Sequence, residues 1–145
     1  MAQYLTGACL CKKIVYRIDT ASKNPEIILC HCNSCKRYTG SSFSANIVVP
    51  HSAFEYTRGS PKLYLDRSDK GGEVRREFCP DCGTPFTSLS SDYPVDIAVK
   101  SGTLDDEDRE RCSKLALEIY VHRKDKWVDQ IGAANVSKLN GSMES

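Results

Sequence analysis

No stretch of this chain approaches the ~20 uninterrupted apolar residues of a bilayer-spanning helix, so a helical membrane anchor is excluded. Charge of one sign is also lacking. Twenty lysines and arginines face 19 aspartates and glutamates, and the longest basic run, Lys124 to Lys126, is broken by Asp125. That balance offers a phosphate backbone little to bind, so neither nucleic acid nor a membrane is an expected partner. Internal repeats, low-complexity tracts and Pro/Gly-rich linkers are missing as well. With 145 residues the expectation is one domain over 1–134 and a polar, frayed tail over 135–145. Met1 to Gly7 carry neither the basic segment nor the apolar core of a secretory leader, which makes a cytoplasmic setting the default.

What the chain does have is cysteine. Seven of its eight cysteines fall in three clusters: Cys9-Leu-Cys11, Cys30-His-Cys32-Asn-Ser-Cys35 and Cys79-Pro-Asp-Cys82. An even number admits a disulfide framework. However, CxC and CxCxxC spacings crowd sulfurs in a way that suits one ion better than separate bridges, and a reducing compartment favours metal. A structural zinc site closes with four protein ligands, whereas a catalytic one uses three and keeps a position open. The two pairs, Cys9, Cys11, Cys79 and Cys82, make one closed set. Cys30, Cys32 and Cys35 are left as an open one. Two Zn2+ per chain, one structural and one catalytic, are therefore the expected cofactors.

The pattern reads mostly as strands, over 3–10, 13–19, 26–30, 43–49, 54–57, 62–66, 73–78, 84–89, 95–100 and 117–122. Ile14, Tyr16 and Ile18 alternate with Val15, Arg17 and Asp19, and Gly71-Gly72 turns 62–78 into a hairpin. Residues 33–42 read as a turn or one helical turn, and the acidic stretch 104–113 as a short helix.

Gly83, just after the last pair, permits the positive φ that finishes a zinc knuckle. In a straight strand Cys9 and Cys11 would face the same side. Three thiolates leave Zn2+ with net negative charge, a poor activator of water but a good seat for a soft sulfur ligand. The triplet thus points to thiol chemistry more than to hydrolysis. The competing reading is a second structural site completed by His31, Cys112 or a residue elsewhere. His31 sits between two ligands and is expected to support the site, with Cys112 an ordinary thiol in a solvated stretch.

With the three groups placed, the chain resembles the glutathione-dependent formaldehyde-activating enzyme family, also called the centromere protein V-like domain. The resemblance rests on Gly7-Ala-Cys9-Leu-Cys11, Cys30-His-Cys-Asn-Ser-Cys35 with Gly40-Ser41, and Phe78-Cys-Pro-Asp-Cys-Gly83. Gly102-Thr-Leu-Asp-Asp106 and Glu118-Ile-Tyr-Val-His122 to Trp127 continue it, so that it runs over roughly 3–132. It implies a mainly β, tent-like arrangement of antiparallel sheets, shared with small zinc-containing exchange-factor chaperones. It also implies a carbon–sulfur lyase that joins formaldehyde to glutathione, with the four-plus-three partition of cysteines. Many members have glycine where this chain has Lys12, so the N-terminal hairpin is expected to differ locally.

Substrate contacts are expected from Lys36, Arg37 and Ser41, next to the triplet, because glutathione carries two carboxylates. Arg75, Arg76 and Lys100 are further cations of the same kind. His31 and His122 are the proton donors that chemistry allows, and Trp127 is expected to pack at the core or rim. Two other readings stand beside this one. Another small carbonyl compound or thioether could replace formaldehyde and glutathione on the same scaffold. Alternatively, a non-catalytic, zinc-stabilised module would bind proteins, although its relatives' long basic extensions have no counterpart here.

Overall fold

The computed structural model describes residues 3–143; Met1, Ala2, Glu144 and Ser145 lie outside it, and with them the ends of the expected leader-free start and polar tail. Ten strands form in chain order: β1 (Tyr4–Ala8), β2 (Val15–Asp19), β3 (Ile27–Cys30), β4 (Ser44–Pro50), β5 (Phe54–Arg58), β6 (Lys62–Arg67), β7 (Glu73–Phe78), β8 (Pro85–Ser90), β9 (Asp96–Lys100) and β10 (Leu115–Ile119). Two short helices interrupt them, α1 (Asn33–Thr39) and α2 (Asp106–Arg111). β1, β2 and β5 make a three-stranded antiparallel sheet. The other seven make a second sheet in the order β10-β3-β4-β9-β8-β7-β6.

The core lies where the two sheets meet. Alternation places Tyr16 and Ile18 of β2 inward with Leu5, and Ile47, Val49, Phe86, Ile97 and Val99 face them from the large sheet. Aromatic rings knit the layers: Tyr16 stacks on Phe54 at 5.1 Å between centroids and meets Phe86 edge-on at 5.9 Å. Full burial of a ring such as Phe86 contributes roughly 1.5–3 kcal/mol. Gly7 is required beside it, since a Cβ there would collide with the Tyr16 phenol and the Thr103 carbonyl.

The mainly β expectation is met, and so is the hairpin over 62–78, as β6 and β7 in antiparallel register. Three details differ. β10 runs parallel to β3, so the large sheet is mixed. Parallel pairing is open to β10 because α2 and its flanking segments carry the chain from β9 past β4 and β3 to the sheet edge. The last strand ends at Ile119 instead of 122, because Tyr120 takes a left-handed conformation (φ 56°) and turns the chain into a 3-10 segment, Val121–Arg123. Residues 33–39 complete a true α-helix, capped at its start by Cys32.

Candidate functional site

The first sulfur cluster lies between two turns. β1 stops at Ala8, and a turn closed by Lys12 N–H on the Cys9 carbonyl (3.0 Å) presents Cys9 and Cys11. The pair is thus presented by a turn, not by the straight strand that the spacing suggested. Lys12 itself adopts φ 68°. The turn that glycine would favour is kept here with lysine in the strained position, and Arg58 donates to the Lys12 carbonyl. Opposite it, Gly83 at φ 77° closes the knuckle of Cys79 and Cys82, its N–H bonding the Cys79 carbonyl at 2.9 Å.

Leu10 N–H reaches Thr84 Oγ1 (3.0 Å), and Lys13 pairs with Asp81 (3.2 Å), so the two turns are fastened directly. All four Sγ atoms lie within 4.8 Å of one another, with Cys9–Cys11 at 3.6 Å and Cys11–Cys79 at 3.8 Å. Zinc sits about 2.3 Å from sulfur, which makes the edge of a tetrahedral sulfur set about 3.8 Å. These four cysteines fit that ion. A hydrogen bond with the Thr84 hydroxyl brings the Cys82 thiol down to about 5, toward the thiolate that a metal needs.

The second cluster forms where β3 runs into α1. Cys30 is the last residue of β3, held between Ser44 of β4 and Ile119 of β10. Cys32 is the N-cap of α1, its sulfur accepting the Cys35 N–H at 3.3 Å. The first helical turn then carries Cys35 back to the other two. All three Sγ atoms lie within 4.8 Å of one another, and among the described residues no histidine or carboxylate joins them. Cys30 and Cys35 are buried, whereas Cys32 is partly exposed. Hydrogen bonds from Cys30 and Cys32, then from Ser44, pull the Cys35 pKa down, whereas the bonds with Cys32 and Cys35 and burial push Cys30 up. A soft, three-sulfur donor set of this size suits zinc as well.

The surroundings separate the expected contacts. His31 is wholly buried, packs against Phe43 at 5.7 Å and bonds Glu118 through Nε2 at 2.9 Å. Its Nδ1 is buried without a partner. It therefore braces the loop between two cysteines, as its position suggested. Lys36 does not face open solvent: its ammonium bonds the Arg123 carbonyl (2.6 Å) and Asp125 (3.0 Å). Arg37 and Ser41 are exposed, and Trp127 is half exposed at the rim. Arg76 and Lys100, by contrast, are buried, each near the Tyr38 ring. Cys112, expected in solvent, is only 2% exposed. α2 is drawn onto β1 by Asp108, which accepts the Thr6 N–H at 2.8 Å, and Cys112 follows it into the core.

Tyr120 is the residue that sequence reading missed. The register puts Ile119 beside Cys30, and the His31 N–H bonds the Ile119 carbonyl (3.1 Å), so Tyr120 comes next to the triplet loop. Its phenol is raised by burial and by the negative charge of Cys32. Only a left-handed backbone at a bulky residue marks it, and no residue type announces that in advance. Two clefts of about 470 Å3 each lie elsewhere, one beside the four-cysteine cluster along Gly102–Asp106 and Arg109, the other between the Lys23–Glu26 loop and β4.

Residues 4–123 match the family described as glutathione-dependent formaldehyde-activating enzyme. Two curated fungal relatives carry that same name provisionally. The one from Penicillium rubens is 36% identical over 66 residues, 45% of this chain and 34% of the relative. The one from Aspergillus terreus is 28% identical over 87 residues, 59% of this chain and 44% of the relative. The chain therefore matches well under half of either relative. A crystal structure of a Rhodobacter sphaeroides protein superposes with a TM-score of 0.54 at 18% identity, covering 75% of this chain and 98% of that one, a likeness of fold.

Proposed function

This chain belongs to the glutathione-dependent formaldehyde-activating enzyme family, and we propose from that premise that it is a zinc-dependent carbon–sulfur lyase acting on adducts of a small thiol with an aldehyde. Glutathione and formaldehyde are the substrates favoured by the names of its relatives. In the adduct-forming direction a carbon–sulfur bond forms and the carbonyl π bond breaks. The thiol loses its proton, and the aldehyde oxygen gains one; the reverse reaction runs the same bonds backward.

Cys30, Cys32 and Cys35 would hold the catalytic zinc, and Cys9, Cys11, Cys79 and Cys82 the structural one. Bound at the triplet, zinc would supply positive charge that lowers the pKa of a substrate thiol. The protein's own side chains do the rest. Glu118 fixes the His31 ring through Nε2 and so holds the Cys30–Cys32 loop in shape. Arg37, in the last turn of α1, and Ser41, just beyond its cap, are exposed and would meet the glutathione carboxylates. Lys36 serves them indirectly, by tying 123–125 across the helix.

The observation that carries this reading is the contrast between the clusters: four sulfurs that complete a set, and three that do not. The test is the rate of S-hydroxymethylglutathione formation, followed by NMR exchange against the spontaneous reaction, with a panel of other thiols beside glutathione. The reading predicts acceleration by the wild type that Cys32→Ser abolishes. Absence of acceleration with any thiol overturns it.

A further inference from the structure

Lys100 ends β9 and is 5% exposed, yet among the described residues no carboxylate pairs with its ammonium. Its two acceptors are neutral, Asn46 Oδ1 at 2.8 Å and Ser88 Oγ at 3.2 Å, and the Tyr38 ring lies 5.4 Å away. The nearby Arg76 adds a like charge. Arg76 shares Ser88 (3.0 Å) and the same Tyr38 ring (5.1 Å), and it takes Asp66 for itself at 2.9 Å. Two buried cations thus converge on one phenol with one carboxylate between them. A buried charge lacking an opposite charge is costly, and burial accordingly pulls the Lys100 pKa down to about 8.

The opposite charge lies along β4. Asn46 stands opposite Lys100 in the β4–β9 register, and Ser44, two residues earlier, lies on the same face and opposite Cys30. Asn46 accepts from Lys100 and donates through Nδ2 to Ser44 Oγ at 2.9 Å. Because Ser44 pairs with Cys30 across β3 and β4, its side of β4 lies at the cysteine triplet. A hydrogen-bonded chain therefore runs from the Lys100 ammonium through Asn46 to Ser44, at the strand position opposite Cys30.

We propose that Lys100 is the built-in counter-ion of the Cys30–Cys32–Cys35 centre, its buried positive charge offsetting the surplus negative charge of three thiolates around a divalent ion and so setting the metal affinity of that centre alone. The inference rests on the triplet being a metal centre. It makes Lys100 a positioning residue, acting through Ser44 and Asn46 without touching substrate. The same charge favours an anionic fourth ligand, such as a thiolate, over a neutral one. In the sequence Lys100 passes for an ordinary cation at a strand end, and only the β4–β9 register shows what it faces.

The test is chelator competition on the metal-loaded full chain, with cobalt(II) as a spectroscopic probe, for the wild type, Lys100→Gln and Lys100→Met. Glutamine keeps a donor for Asn46 without the charge, whereas methionine removes both. The counter-ion predicts that the wild type binds two ions, and that both variants hold one of them about 10- to 100-fold more weakly, the usual effect of losing an outer-shell partner. The other ion should stay unchanged, and circular dichroism should show an intact fold. In the cobalt form, the sulfur-to-metal charge-transfer band of the second equivalent should appear only at higher metal concentration. Wild-type affinity at both sites in both variants overturns the proposal. So does a defect in methionine that glutamine lacks, or loss of both ions with the fold, either of which would assign Lys100 to packing. A wild type that binds a single ion defeats the metal reading of the triplet itself.

Discussion

Lys12 sits at φ 68° in the turn that presents Cys9 and Cys11, where a side chain bearing a Cβ costs about 1–2 kcal/mol. Lys12→Gly removes that strain and returns roughly 0.5–1 kcal/mol of chain entropy to the unfolded state. The net expectation is a gain of up to about 1 kcal/mol. It is read as a higher urea midpoint at unchanged slope; a lower midpoint would show that lysine is at home in this turn. At this scale the cysteines were legible, because metal-ligand spacing is local and survives any arrangement of strands. Gly83 was legible for the same reason. Lys100 and Cys112 were not: a lysine at a strand end and a cysteine in an acidic stretch look solvated until β4 and α2 close over them. Tyr120 escaped because its left-handed backbone is imposed by the chain's exit from β10, not by its residue type.

Among the elements, α1 and the segment after β10 depend on each other. Lys36 of α1 holds the Arg123 carbonyl and Asp125, while Glu118 of β10 holds His31 and Lys124. Asp125 is well exposed, so the Lys36 contacts belong at the low end for a charged hydrogen bond, about 1 kcal/mol. Lys36→Met is therefore expected to lower stability by roughly that amount and to speed amide exchange over 123–126. Such a variant should leave KM for the thiol almost unchanged. A raised KM with normal exchange would instead make Lys36 a substrate contact, as its place beside the triplet first suggested. Strand periodicity foretold β2, the Gly71-Gly72 turn the β6–β7 hairpin, and the acidic stretch 104–113 the short α2. It could not foretell that β10 pairs in parallel with β3, since alternation along one strand carries no information about its neighbour's direction.

The whole molecule joins its two sheets through an aromatic core and gathers four sulfurs between the turns that follow β1 and precede β8. The mainly β class and the four-plus-three division of cysteines could be read from one sequence. The strand order could not, because it is set by contacts far apart along the chain. If the four-sulfur set carries a structural metal and the triplet a reactive one, the two must differ in what their loss does to the fold. The most direct measurement is the zinc content and circular dichroism of protein purified without added zinc, for the wild type, Cys32→Ser and Cys79→Ser. The account predicts about two ions in the wild type, about one in a folded Cys32→Ser, and an unfolded or aggregated Cys79→Ser. A wild type with one ion, or a Cys32→Ser chain that unfolds as Cys79→Ser does, would contradict it.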